Sequence, residues 1–327
     1  MTERATPVVF AIDVEPDDPE FPPGSAAPWL GFERCIDLFD EIRDGLERAT
    51  RSPVRLSWFL RMDPQIERGY GTASWAAERY ATQFEHLRRS GDEIGLHTHA
   101  WRWGEQQSRW IVDVGNESWV EHCARSSFAT YRDVFGERCR AHRSGDRFMS
   151  NGLLAVLREL EVDIDLTVEP GMRGVPMARS RPHTADIPDM ALVPRIPYVP
   201  LQSDWRRPEL GQSTGDLLMV PLTSADPGPL LGSWRAAARR VRNGRRVLHR
   251  PLLPWAPNVG PRLWDILACD LGSGELTTLA FAMRSHGALD EQSRVALLAS
   301  VAALERHDLA ASLAFVTATE MRKSWRP

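Results

Sequence analysis

Residues 91–101 read GDEIGLHTHAW, a short apolar run that ends in two histidines one residue apart, His97 and His99. In an extended strand, positions i and i+2 project from the same face, so both imidazoles point the same way and can chelate one metal ion. Gly91 falls where a preceding helix would stop, because glycine closes a helix in the left-handed conformation without steric cost. The stretch therefore reads as a strand that follows a helix and carries polar side chains at its C-terminal end. The plainer reading is a loop holding two of the nine histidines, and the surrounding chain has to decide between them.

Working outward, the same alternation recurs. Upstream lie a strand at PVVFAID (7–13), a helix across GFERCIDLFDEIRDGLERA (31–49), a strand at VRLSWFL (54–60) and a helix around ASWAAERYATQFEHLRRS (73–90). In the first helix Ile36, Phe39, Ile42 and Leu46 recur at helical spacing. Downstream come a helix at SWVEHCARSSFATYRDVF (118–135), a strand at CRAHRSG (139–145), a helix at SNGLLAVLREL (150–160) and a strand at DIDLTV (163–168). After residue 215 the pattern resumes with strands at 216–223, 278–285 and 312–318, and with helices at 234–246 and 290–307. Strands alternating with helices build a parallel sheet covered by helices, so the sequence predicts one α/β barrel-like domain over residues 1–327. From Pro170 to Gly215 prolines are frequent and periodicity is lost, which predicts an elaborated loop or insertion over the sheet.

Composition narrows the function classes. Hydrophobic residues make up 43% and charged residues 26% of 327, which suits a globular chain with a sizeable core. A net charge of −4 offers no general attraction to nucleic acid or to anionic membrane. No apolar run approaches the roughly 20 residues a bilayer span needs, and the N-terminus enters a strand without a signal-peptide core, so a cytoplasmic location is expected. Cys35, Cys123, Cys139 and Cys269 form no CxxC pair and read as buried thiols.

In barrels of parallel strands, chemistry collects at the C-terminal strand ends, where the loops converge. Here those ends carry Asp13-Val14-Glu15, His97-Thr98-His99, Arg143-Ser144-Gly145-Asp146 and Arg284-Ser285-His286. Singly, each has an ordinary reading: a helix cap, a polar loop, a surface ion pair. Jointly they bring carboxylates, imidazoles and guanidiniums to one rim. Asp13 and Glu15 form a second i, i+2 pair, and oxygen with imidazole donors suits zinc or a similar divalent first-row metal with an open position for water. A carboxylate that is not a ligand can then act as base on that water, which is the chemistry of metal-assisted hydrolysis.

The order of these motifs resembles the polysaccharide deacetylase family, carbohydrate esterase family 4. The resemblance runs from FAIDVEPD through SWFLRMDPQI, GDEIGLHTHAW and RSGDRF to MVPLTS, FAMRSHG and FVTATE, and is nearest to the branch whose first motif is Asp-x-Glu or Asp-x-Asp. It implies a distorted (β/α) barrel with about seven strands and a single divalent metal, zinc foremost, with cobalt or nickel as alternatives. By position, Asp13 matches the catalytic base, Glu15 and His97 metal ligands, Arg143 the residue that orients the base, and His286 the general acid for the leaving amine. The family's second histidine lies four residues after the first, where this chain has Trp101, and His99 is the candidate replacement ligand. The implied reaction is removal of the acetyl group from an N-acetylated amino sugar, small or linked to a nucleotide or other carrier. A metal-independent hydrolase of a cyclic amide or ureido compound, resembling allantoinases, and an inactive carbohydrate-binding homologue stay open as alternatives.

Candidate substrate contacts are Trp101, Trp103, Asp146 and Arg250, with Trp29 and Trp110 as further aromatic candidates for the rim. Arg235, Arg239, Arg240, Arg242, Arg245 and Arg246 crowd one predicted helix. A solvated helix face is the plain account of them, and recognition of a substrate phosphate is the alternative.

Overall fold

The computed structural model describes residues 5–177, 182–209, 216–226, 249–256, 259 and 262–326. Its central sheet runs, in spatial order, through Leu218–Met219, Ile164–Asp165, Ala141–Ser144, Glu93–Thr98, Ser57–Arg61, Thr6–Val14 and Leu279–Arg284, and Leu313–Phe315 pairs with the start of Thr6–Val14. Every pairing within it is parallel. The sheet curls into a half-barrel with helices outside it, the distorted α/β barrel that the alternation predicts.

The first strand shows how the sequence builds this. Val8, Phe10, Ile12 and Val14 belong to the large core cluster shared with Phe32, Phe39 and Ile42 of the helix Leu30–Thr50. Val9 and Ala11 belong instead to a smaller cluster with Phe59, Ala141, Ile164, Leu166, Ala280 and Ala282 on the other face. A strand buried on both faces reads as a continuous apolar run, as TPVVFAIDV does. Its inner row Val9, Ala11 continues at the same period to Asp13, so pleat geometry alone puts that carboxylate at the barrel's inner rim.

Caps explain the helix boundaries. Asn116 accepts from the Trp119 N–H and Gly136 (φ 69°) closes the helix Glu117–Phe135. Ser150 and Asp290 cap Asn151–Glu159 and Glu291–Leu304 in the same way. The helix Leu30–Thr50 is capped from a distance, since Asp17 accepts from the Leu30 and Gly31 N–H groups, each at 2.8 Å.

Several expectations are corrected. The helix expected over 73–90 breaks at Tyr80 (φ −111°, ψ 28°) into Trp75–Arg79 and Ala81–Arg89. The strand expected at 216–223 is regular only at Leu218–Met219, although the Val220 and Leu222 N–H groups still donate to the Asp165 and Val168 carbonyls. The last strand stops at Phe315, where Thr317 turns to form a capping box with Glu320. Trp101–Gly104 and Arg109–Val112, where no strand was expected, form an antiparallel hairpin. Helices at Pro64–Tyr70 and Leu263–Gly272 went unread, although Asp63 followed by Pro64 is a cap-and-N1 signal. Cys269 is exposed, contrary to expectation, while Cys35, Cys123 and Cys139 are buried. Within 170–215, Val175 bridges Ile187 and Pro200–Leu201 pairs with Asp204–Pro208. The arginine-rich helix expected at 234–246 lies outside the described residues. Among the described residues no helix is long and apolar enough to cross a membrane.

Candidate metal centre and active site

Parallel register brings the rim residues together. Asp13 lies opposite Arg284 on one neighbouring strand, and His97 lies opposite Arg61 on one side and Arg143 on the other. Glu15 follows the first strand, and its backbone is clipped by Ser285: its N–H donates to Ser285 Oγ at 3.3 Å, and Oγ donates back to the Glu15 carbonyl at 3.2 Å. Ser285 was not singled out in the sequence, and its place between Arg284 and His286 is the signal it offered.

Glu15, His97 and His99 are all buried, and one ligand atom from each lies within 4.8 Å of the others. Hydrogen-bond partners assign the imidazole tautomers. His97 Nδ1 sits 2.9 Å from the Arg143 carbonyl oxygen, which can only accept, so Nδ1 carries the proton and Nε2 a lone pair. His99 Nδ1 sits 2.9 Å from Asp146 Oδ2. Burial opposes ionisation of Asp146, but the neighbouring His99 and the hydrogen bonds from His99 and Trp101 overcome it and hold the carboxyl below the usual range. His99 therefore also donates through Nδ1 and presents a lone pair at Nε2. The two Nε2 atoms face each other at 3.0 Å, with Glu15 Oε2 3.9 Å from His97 Nε2 and 3.7 Å from His99 Nε2. Two nitrogens on a tetrahedral zinc at about 2.05 Å stand roughly 3.3 Å apart. Two lone pairs and a carboxylate converging with no donor between them among the described residues form a site suited to a cation, and burial, with the positive charges of Arg143 and Arg61 adding to it, keeps His97 neutral by lowering its pKa well below the ordinary value.

Beside this cluster, Arg143 Nε donates to both oxygens of Asp13 at 3.0 and 3.1 Å, Nη1 donates to the Leu166 carbonyl at 2.7 Å, and Nη2 lies 3.6 Å from Glu169 Oε1. Burial raises the Asp13 pKa, Arg143 opposes the shift, Glu15 adds to it, and the net direction is up. A carboxylate so placed is a stronger base than one in water. His286 Nδ1 lies 3.6 Å from Glu15 Oε1, and among the described residues neither atom has a hydrogen-bond partner despite being buried.

A second layer, not anticipated from the sequence, holds these groups still. His142 Nδ1 meets Asp165 Oδ2 at 2.7 Å and His142 Nε2 meets Thr98 Oγ1 at 2.8 Å, while Thr167 Oγ1 donates to Asp165 Oδ2 at 2.9 Å. Thr98 stands between the two site histidines and His142 precedes Arg143, so this buried chain ties together the strand ends that carry the site. Replacing Asp165 with alanine strands the His142 and Thr167 donors in the core and is expected to cost about 2–6 kcal/mol, at about 1–3 kcal/mol for each of the two buried unsatisfied groups. Urea unfolding of both proteins measures it, and an unchanged midpoint would contradict the role. Asp63 supports the other histidine, accepting the His99 N–H at 3.2 Å while Arg61 Nε and Nη2 donate to its two oxygens, each at 2.9 Å.

Packing against the site also requires glycine at two positions. A Cβ on Gly145 would lie 2.1 Å from the His99 ring, and one on Gly31 would lie 2.5 Å from the His286 backbone. Gly31→Ala is therefore expected to shift His286 and lower kcat several-fold while leaving bound metal unchanged; a steady-state assay with elemental analysis checks both, and an unaltered kcat would remove this constraint.

In front of the site lies a cavity of about 730 Å³ lined by Asp13, His97, Arg143, Asp146, His286 and Arg250, among others. Asp13, Glu15, His97, His99, Arg143, Asp146 and His286 are thus brought together. Trp101 is corrected as a sugar-stacking candidate, since it is 2% exposed and its indole N–H donates to Asp146 at 2.6 Å. Trp103 packs on Trp110 across the hairpin and does not line the cavity. Trp29 and Trp110 are core residues, 1% and 5% exposed. Asp146, expected to touch substrate, is spent largely on His99 and Trp101. The indole ring in the cavity wall is Trp255, which was not among the expected substrate contacts.

No family model matches the chain, and no curated protein matches it. Solved structures do. One is a protein from Mycobacterium smegmatis proposed as a polysaccharide deacetylase, at 14% identity and a TM-score of 0.51, covering 98% of this chain and 90% of the other. Another is a protein from Parabacteroides distasonis proposed as a glycoside hydrolase/deacetylase, at 13% identity and a TM-score of 0.60, covering 99% and 72%. The Puue allantoinase aligns at 15% identity with a TM-score of 0.49, covering 99% and 91%. The chain has the polysaccharide deacetylase fold.

Proposed function

We propose that this chain is a metal-dependent hydrolase that removes the acetyl group from an N-acetylated amino sugar, small or carrier-linked, during assembly of a polysaccharide or glycosylated natural product. The observation that carries the reading is the pair of imidazole lone pairs 3.0 Å apart and facing Glu15, directly beside an arginine-held carboxylate. Glu15, His97 and His99 would hold the ion, and their one-oxygen, two-nitrogen set suits zinc, cobalt or nickel. When bound, such an ion supplies Lewis acidity toward the amide carbonyl and lowers the pKa of adjacent water.

The chain's own residues supply the rest. Asp13 accepts a proton from the attacking water, and burial is what makes it a capable base. Arg143 fixes the Asp13 carboxylate through Nε and keeps it from turning toward the ligand cluster. As water oxygen bonds to the acyl carbon and the C–N bond breaks, His286 delivers a proton to the departing nitrogen, leaving acetate and a free amine. His286 is two-thirds covered and lies at the edge of the cluster, its Nδ1 3.6 Å from Glu15 Oε1.

Freshly purified protein is expected to hold near one equivalent of divalent metal by elemental mass spectrometry. Acetate release from N-acetylglucosamine derivatives should disappear on chelation and return with zinc, cobalt or nickel. Full hydrolytic activity after exhaustive chelation, above all on a cyclic amide, would overturn the metal-dependent reading.

A further inference from the structure

The cavity in front of Asp13 carries more positive charge than its own carboxylates consume. Its acidic lining groups are engaged: Asp13 with Arg143, Glu169 with Arg143 Nη2 at 3.6 Å, and Asp146 with His99 and Trp101. Arg284 lies 3.6 Å from Glu15. Arg147 and Arg250 line the same cavity and, among the described residues, their guanidiniums form no hydrogen bond or ion pair.

They reach the cavity from unrelated segments. Arg250 stands on a short strand paired with Ser224–Ala225. Arg147 follows Asp146, and both hold left-handed backbone angles, φ 52° and 55°, uncommon for consecutive residues other than glycine. That turn sends Asp146 inward to the ligand histidine and Arg147 into the cavity, and strain of this kind collects at functional positions. A volume of about 730 Å³ falls within the ~300–1,000 Å³ range of small-molecule sites rather than describing a flat polymer track.

We propose that the cavity takes an anionic N-acylated sugar, whose phosphate or carboxylate is held by Arg147 and Arg250 while the acyl group meets Asp13. The planar guanidinium fork matches either oxyanion bidentately. The inference rests on the deacetylase reading for the acyl end and on the unpartnered guanidiniums for the anionic end.

Calorimetric titration of the metal-loaded protein with N-acetylglucosamine 1-phosphate, N-acetylmuramic acid and neutral N-acetylglucosamine tests it. At least one anionic probe should bind about tenfold or more tightly than the neutral sugar, the scale of a charged hydrogen bond. That preference should fall stepwise in Arg147→Gln, Arg250→Gln and the double variant. Preference for the phosphate alone or the carboxylate alone identifies the anion. Equal binding of all three probes, no binding of any, or a preference that survives the double substitution through direct phosphate–metal contact, would each overturn it. Acetate release from the same probes keeps the two ideas apart. Anion preference without acetate release sinks the deacetylase reading and keeps the subsite; acetate release without preference does the reverse.

Discussion

Asp13→Asn is expected to lower acetate release by about 10²–10⁴-fold, the usual worth of a positioned general base, with bound metal and the folded state retained. The amide is nearly isosteric and its oxygen still accepts from Arg143 Nε. Arg143 also keeps the Leu166 carbonyl at 2.7 Å and Glu169 at 3.6 Å, so its guanidinium is not abandoned in the core. Burial already opposes the Asp13 charge, as its raised pKa records, and losing that charge spares a desolvation cost. Steady-state rates, metal analysis and circular dichroism on one preparation decide the matter. Residual activity above about a tenth of wild type would remove Asp13 as the base, since even a modest general base contributes more than that.

Gly145→Ala is expected to strip the metal as thoroughly as His99→Ala does. The new methyl would fall 2.1 Å from His99 Cε1, and the ring cannot slide away because Nδ1 is held by Asp146 and Nε2 abuts His97. The ring has to swing out, which removes one of three ligands. Affinity should drop by at least about 100-fold, the upper end of what loss of a merely supporting group costs. Gly152→Ala is the control, because its added methyl would meet nothing nearer than 3.7 Å. Competition with a chromogenic chelator reads affinity for the whole series. Unchanged stoichiometry in both His99→Ala and Gly145→Ala would make the His97-Thr98-His99 pair a cavity wall rather than a chelate.

Much of this was legible in one dimension because it rests on local periodicity. A period of two puts His97 with His99, and Val9, Ala11 and Asp13 in one row, without reference to any other strand. The parallel alternation of strands and helices then dictates that strand ends share a rim, so Asp13, Arg143, His97 and His286 could be named together. Tryptophans were misread for the opposite reason. Whether an indole at 29, 101 or 110 faces sugar or core depends on what packs over it, and a hairpin that the sequence reading did not anticipate holds the buried Trp101 and Trp110.

What the sequence by itself determined was the α/β barrel class and the residue types gathered at its rim, because strand pleat and helix spacing are properties of neighbouring residues. Tertiary structure alone decided that His99 faces His97 and Glu15, because that depends on Asp146 reaching it across 47 residues and on Gly145 leaving it room. Contacts between distant segments also set the buried Thr98–His142–Asp165 chain, and they place Arg147 and Arg250 at the cavity with no side-chain partner among the described residues. Hydrogen bonds and burial between residues far apart in the chain have no period to read, so they exist only once the fold has formed.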